Sequence, residues 1–117
     1  KKGINGVRES IECIKKGQSI ALMIDQRVSE GIKVDFFGKP ALTTSLPAQL
    51  AIKFDLPIVP VFIERETNYN YKIKFFNPIK NSNLENKEEI TKKLNQVLES
   101  MILKNPNEWI WTHNRWK

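Results

Sequence analysis

Cysteine is nearly absent from this chain. Cys13 is the only one, so no internal disulfide and no multi-cysteine zinc site can form. Histidine is as scarce: His113 stands alone, which excludes a His-rich metal cluster and leaves only carboxylate-based cation sites open. No apolar run approaches the roughly 20 residues that a membrane-spanning helix needs. Lys1-Lys2 leads into Gly-Ile-Asn-Gly rather than an apolar stretch, so no signal peptide is read there. Neither glycine-rich nucleotide loop occurs, GxGxxG or GxxxxGK followed by Ser or Thr, and there is no GxSxG nucleophile elbow. Cys13 lies far from His113 in the chain, which argues against a Cys-His nucleophile pair.

What is present fits one globular domain, or part of one. The 117 residues are 40% hydrophobic and 27% charged, enough apolar material for a real core. Lys and Arg number 19 against 13 Asp and Glu, a net charge of +6. That balance favours an acidic partner: nucleic acid, an anionic membrane surface, a phosphorylated substrate or an acidic carrier protein. The lysines are dispersed and form no run of five or six like charges, so charge alone selects none of these.

Periodicity outlines an α/β chain. Ile4, Val7, Ile11 and Ile14 recur at helical spacing, and Gly17 after Lys15-Lys16 stops that helix. Ser19-Ile20-Ala21-Leu22-Met23-Ile24-Asp25 is a continuous apolar run ending in a carboxylate, the pattern of a strand covered on both faces. Residues 26–44 show no clear period and are expected to form a long functional loop. A helix is expected from Ser45 to Phe54, then a buried strand from Ile58 to Ile63 with Pro60 marking an edge or bulge. Tyr71, Ile73 and Phe75 alternate with Lys72 and Lys74, a strand with one wet face. Asn86-x-x-Glu89 reads as a capping box opening a helix whose face is Ile90, Leu94, Val97, Leu98, Met101 and Ile102. Pro106 ends it before an aromatic tail holding Trp109, Trp111, His113, Arg115 and Trp116. Strand, crossover helix and strand together predict a parallel β-α-β unit within a partial mixed sheet flanked by helices, joining residues 20–24 and 58–63 over the helix near 45–54. Ligands of open α/β sheets bind beyond the carboxyl ends of the strands, and here that edge carries Asp25, the long loop and Glu64-Arg65.

Several residues could carry chemistry, each beside a plainer reading. Asp25 could orient a base or pair with a cation, or only cap the following loop. Phe36 to Thr44 could close over a ligand, with Gly38 admitting backbone approach, Phe36 and Phe37 as apolar wall and Thr43 or Thr44 as hydroxyl; a hydrophobic plug and N-cap explain the same residues. His113 among tryptophans is a packed, capping or functional imidazole. The tryptophans with Arg115 could stack on nucleic acid bases, but a core clasp is the favoured reading.

Taken in order, five segments carry a resemblance: Ile24-Asp25-Gln26-Arg27, Gly31-x-x-Val34-x-Phe36-Phe37-Gly38-x-Pro40-Ala41-x-Thr43, Ala48-x-Leu50-Ala51, Pro57-Ile58-Val59-Pro60-Val61-x-Ile63-x-Arg65, and Trp109-x-Trp111-x-His113-x-Arg115-Trp116. Together they resemble the bacterial lipid A biosynthesis acyltransferases, the lauroyl/myristoyl family within the glycerophosphate acyltransferase-like superfamily. The resemblance implies transfer of a fatty acyl chain from acyl carrier protein to a lipid A precursor at the cytoplasmic face of the inner membrane. It implies no metal and no other cofactor. Family members use a His-x4-Asp/Glu pair as general base, the carboxylate fixing the tautomer of the imidazole that deprotonates the attacking hydroxyl. That motif is absent here, since no carboxylate follows His113 in Asn114 to Lys117.

Residues 1–117 are therefore expected to be a single C-terminal portion of the acyltransferase domain, lacking catalytic residues of its own and inactive alone. Its partners would be the acyl carrier protein thioester, the lipid A precursor, an anionic membrane surface and the N-terminal half of the same enzyme, with no nucleic acid. The substrate-binding residues implied are Asp25, Arg27, Phe37, Gly38, Thr43, Arg65, His113 and Arg115. Asp25 falls where the superfamily's third motif has its acidic residue, and Pro57 and Pro60 match the fourth motif. The alternative from another class is a non-catalytic basic module that binds anionic lipid or acyl carrier protein.

Overall fold

The computed structural model describes residues 4–67, 69–80 and 86–116. In chain order the elements are helix α1 (Ile4–Lys15), strands β1 (Ile32–Phe36) and β2 (Lys39–Thr43), helix α2 (Leu46–Phe54), strands β3 (Val61–Arg65) and β4 (Tyr71–Phe75), and helix α3 (Lys87–Lys104), followed by a 3-10 turn at Pro106–Glu108. Among the described residues the class is α/β, with three α-helices and two antiparallel two-stranded sheets.

α1 and α3 lie where spacing and caps put them, whereas α2 begins at Leu46 with no side-chain bond from Ser45, its Leu46 N–H reaching Thr44 Oγ1 at 3.4 Å. α1 ends at Gly17, whose φ of 74° is left-handed. There the Gln18 N–H reaches the Cys13 carbonyl at 3.0 Å and the Gly17 N–H the Ile14 carbonyl at 2.9 Å, satisfying carbonyls that the helix end would otherwise strand. At the start of α3 the Glu89 N–H donates to Asn86 Oδ1 (2.9 Å), and the Asn86 N–H donates back to Glu89 Oε2 (3.1 Å). This is the reciprocal capping box its sequence spells out.

The segment expected as a loop contains a hairpin instead. β1 and β2 pair antiparallel, Ile32 opposite Thr43 and Phe36 opposite Lys39. The turn is two residues, Phe37 (φ 51°) and Gly38 (φ 71°), both left-handed as a tight hairpin with native twist requires. Glycine takes that conformation freely. Phe37 does not, and its N–H is held by Glu99 Oε1 of α3 at 2.8 Å. The strand was legible after all: Val34 and Phe36 face in while Lys33 and Asp35 face out.

The hairpin packs on α3, and α2 packs on the same helix. Phe36, Ala41 and Ile102 form one buried cluster, with Phe37, Leu98, Trp109 and Trp116 against it. Ala48, Ile90 and Leu94 form a second, joined by Ile24, Ile58 and Ile79. Because α2 spends its apolar face on α3, it does not cross over a sheet.

The parallel β-α-β unit is accordingly not formed. Residues 18–24 lie in no strand, and β3 pairs with β4, antiparallel, across the short connection at residues 66–70. The ribbon also inverts the expected wet face. Lys74, half-buried, donates to Glu64 Oε2 and holds that carboxyl below its usual pKa. The opposite face, Val61, Ile63, Tyr71, Ile73 and Phe75, is 44–73% exposed. No described helix is long and apolar enough to cross a membrane.

Candidate functional site

Two chain segments far apart in sequence meet at the open end of the β1–β2 hairpin. The C-terminal tail folds back so that Arg115 is fully buried beneath the end of β2. Its Nη1 donates to the Leu42 carbonyl, its Nη2 donates to Thr43 Oγ1 at 2.8 Å, and its guanidinium lies 5.2 Å from the centre of the Phe36 ring. Burial lowers the pKa of this guanidinium from its ordinary value, and the Asp25 carboxylate opposes that shift. An arginine stays charged under such a shift, so the site holds a fixed buried cation. Asp25 Oδ1 and Arg115 Nε are both buried and without a hydrogen-bond partner. They are one acceptor and one donor left over, in groups close enough to sense each other's charge.

Thr43 is the node of the site. Its Oγ1 accepts from Arg115 Nη2 and from Asn95 Nδ2 (3.3 Å), and donates to the Ala41 carbonyl (3.2 Å). Asn95 also donates from Nδ2 to the Asp35 carbonyl at 2.8 Å, tying α3 to β1. Sequence reading missed Asn95. A signal existed: Thr91, Asn95, Leu98 and Ile102 form one helical stripe, and both polar members are fully buried. A buried amide on an apolar stripe needs partners, and the hairpin supplies them to Nδ2, while Asn95 Oδ1 stays buried without a hydrogen-bond partner among the described residues.

The second link is His113, whose Nε2 accepts the Arg27 N–H at 3.1 Å. The turn after Asp25 is thus pinned to the tail through the backbone of Arg27, whose side chain points to no described partner.

The remaining residues expected at the site lie elsewhere. Phe37 and Gly38 form the hairpin turn, at the end opposite Thr43, where Phe37 packs edge-on to Phe36 (4.9 Å between ring centres). Arg65 lies on the β3–β4 ribbon, 5.8 Å from the centre of the Tyr71 ring, beside a shallow groove shared with Ile63, Asn107 and Glu108. The structure therefore brings together Asp25, the Arg27 backbone, Thr43, His113 and Arg115, and leaves Phe37, Gly38 and Arg65 apart. Trp109 and Trp116 pack at 5.7 and 5.6 Å against Phe36, and Trp116 Nε1 donates to the Phe36 carbonyl at 3.0 Å. The tail is a clasp in which Trp109 and Trp116 pack inward, while Trp111 is half-exposed. Among the described residues, no three His, Cys, Asp or Glu side chains gather as a metal site.

Gly31 sets how closely the site closes. A Cβ there would lie 2.6 Å from the Thr43 carbonyl oxygen, 2.8 Å from the Thr43 nitrogen and 2.7 Å from Val28 Cγ2. Gly31→Ala is expected to push the Ile32–Thr43 end of the hairpin open and cost about 1–3 kcal/mol, the usual range for overpacking. Urea denaturation checks this, and an unchanged midpoint would rule out the close approach.

The model of one protein family, described as bacterial lipid A biosynthesis acyltransferase, matches residues 2–117. No curated protein matches the chain.

Proposed function

Since the chain belongs to the bacterial lipid A biosynthesis acyltransferase family, we propose that it forms the substrate-orienting part of an enzyme that acylates a lipid A precursor from an acyl carrier protein thioester. In that reaction a precursor hydroxyl attacks the thioester carbonyl, a C–O bond forms, the C–S bond breaks and the carrier thiol leaves with a proton. The observation that carries the reading is the buried Arg115–Thr43 contact beside Asp25, which unites the two most family-like segments of the sequence at one place. Asp25 offers a spare acceptor and Arg115 a spare donor, suited to a hydroxyl-bearing head group that does both. Phe37 and Gly38 act through the hairpin turn, and Arg65 acts at the ribbon rather than at this cluster.

The general base comes from elsewhere. The sole imidazole, His113, already receives the Arg27 amide, and no carboxylate follows it in the motif's order. The reading therefore includes a further partner, the N-terminal half of the enzyme carrying His-x4-Asp/Glu. A net charge of +6 suits both the acidic carrier protein and an anionic membrane surface, and the apolar ribbon face suits contact with the cytoplasmic side of the inner membrane.

This chain alone is expected to give no acyl transfer, because loss of a general base commonly costs about 10²–10⁴-fold. The check is incubation of the purified chain with acyl carrier protein thioester and lipid A precursor, with chromatographic separation of the lipids. Product at the rate of an intact enzyme would sink the assignment of the base to another segment. The second reading, a non-catalytic basic module, is favoured by the same missing base. It predicts vesicle or carrier-protein binding with no transfer even when a base-bearing half is added.

A further inference from the structure

Both amide hydrogens of Asn95 are committed, one to the Asp35 carbonyl at 2.8 Å and one to Thr43 Oγ1 at 3.3 Å, while its own Oδ1 is buried without a partner among the described residues. A carbonyl can only accept, so the amide cannot be turned round, and Asn95 faces Thr43 as a donor by necessity. That one-way donor settles the hydroxyl. Thr43 Oγ1 has one proton and two lone pairs. One lone pair takes Asn95, the other takes Arg115 Nη2 at 2.8 Å, and the proton goes to the Ala41 carbonyl at 3.2 Å. Thr43 therefore has no hydrogen bond left for a ligand. What it presents is a fixed acceptor aimed at the guanidinium, whose Nη1 is held on the Leu42 carbonyl. Two anchored nitrogens fix the plane of a rigid fork. They leave Nε buried and unpartnered, as Asp25 Oδ1 is, in groups close enough to sense each other's charge.

We propose that Asn95 is a positioning residue: acting through the Thr43 hydroxyl, it sets the direction in which Arg115 presents its spare Nε donor beside Asp25. The order runs from the Asp35 carbonyl to Asn95, to Thr43, to Arg115, so β1 and α3 together orient a cation that belongs to the tail. Asn95 itself touches no ligand. Without its donor the hydroxyl is free to rotate, and its lone pairs no longer single out Nη2. The geometry stands whatever the substrate is, and the consequence for a hydroxyl-bearing head group rests on the acylation proposed above. A positioning amide differs from a merely structural one at a single point. Packing and the Asp35 bond affect stability whatever stands at position 43, whereas control of Arg115 passes through the Thr43 hydroxyl and vanishes with it.

The experiment follows the Arg115 Nε proton by heteronuclear NMR on the 117-residue chain, with the backbone amides of α3 as the reference for global opening. In the wild type this buried proton should exchange slowly. Asn95→Ala and Thr43→Val should each speed its exchange relative to those amides by about tenfold or more, the scale of one lost hydrogen bond. Thr43→Ser, which keeps the hydroxyl, should stay with the wild type. In the double variant Asn95→Ala/Thr43→Val the effect should be that of Thr43→Val alone, because the two act in series. If the double variant does not fold, the single variants decide, since Asn95→Ala must move the signal and Thr43→Ser must not. An unmoved Arg115 signal in folded Asn95→Ala, effects that add in the double variant, or a Thr43→Ser that behaves like Thr43→Val would each overturn the proposal. Lipid A precursor in detergent micelles separates the positioning from the function. Its addition should shift the Arg115 Nε resonance, with about tenfold weaker binding to Asn95→Ala. Absence of that shift, with the mutant cycle as expected, removes the substrate reading and leaves the positioning intact. Equal binding by the wild type and Asn95→Ala overturns the role of Asn95 in the site.

Discussion

Arg115→Ala is expected to lower the stability of the chain by about 3–5 kcal/mol, the cost of breaking a buried charged network from one side. Three things go at once. The Leu42 carbonyl loses its guanidinium donor, Thr43 Oγ1 loses one of two, and a cavity opens under Phe36. The Asp25 carboxylate also loses the nearby positive charge. Arg115→Met separates charge from bulk. It refills most of the volume and removes the desolvated cation, and Thr43 Oγ1 keeps its Asn95 donor, so the loss should be well under that of alanine. Equilibrium urea unfolding of the two variants provides the comparison. Equal losses would mean that the hydrogen bonds, and not the packing, hold the tail in place. Under the acylation proposed above, Arg115→Met should fold and still lower turnover strongly, because the spare Nε donor beside Asp25 is gone.

Phe36→Ala should match or exceed that loss, again about 3–5 kcal/mol, and should change a spectrum as well. The ring is fully buried and is the meeting point of the clasp, touched by Phe37, Trp109, Trp116 and Arg115. Without it Trp109 and Trp116 lose their packing surface and water reaches both. Tryptophan emission should shift to the red in the folded fraction, and the melting temperature should fall by several degrees per kcal/mol, as for domains of this size. Trp111 is half-exposed from the outset and contributes little to the change. Emission identical to wild type in a folded variant would show that the tail does not depend on Phe36. Phe36→Leu, which keeps apolar volume but not ring contacts, should fall between.

Local rules were enough for part of this chain. Both ends of α3 follow from residues within a few positions: Asn86 and Glu89 cap each other, and Pro106 cannot continue a helix. Gly17 stops α1 because only a glycine enters the left-handed region without cost. The segments that carry the family resemblance are likewise in the one-dimensional string, and so is the absence of a carboxylate after His113. These are properties of short windows or of mere presence, and no fold is needed to read them.

Pairing was not legible in the same way. The run at 20–24 and the run at 58–63 have the composition of buried parallel strands, but a strand exists only where a neighbour accepts its hydrogen bonds. β3 found β4 across a short turn, and 20–24 found none among the described residues. Tertiary packing also decided which side of the β3–β4 ribbon faces water, since Lys74 is drawn inward by Glu64 and the apolar side is left open. The site itself depends on contacts between residues more than 50 positions apart: Asn95 reaching Thr43, Arg115 reaching Thr43, and Arg27 reaching His113. The amino-acid sequence determined helices, caps and kinship, because each is encoded locally. Only the tertiary structure decided that Thr43 joins Asn95 and Arg115, because a buried hydroxyl is satisfied by whatever the fold places within hydrogen-bond reach.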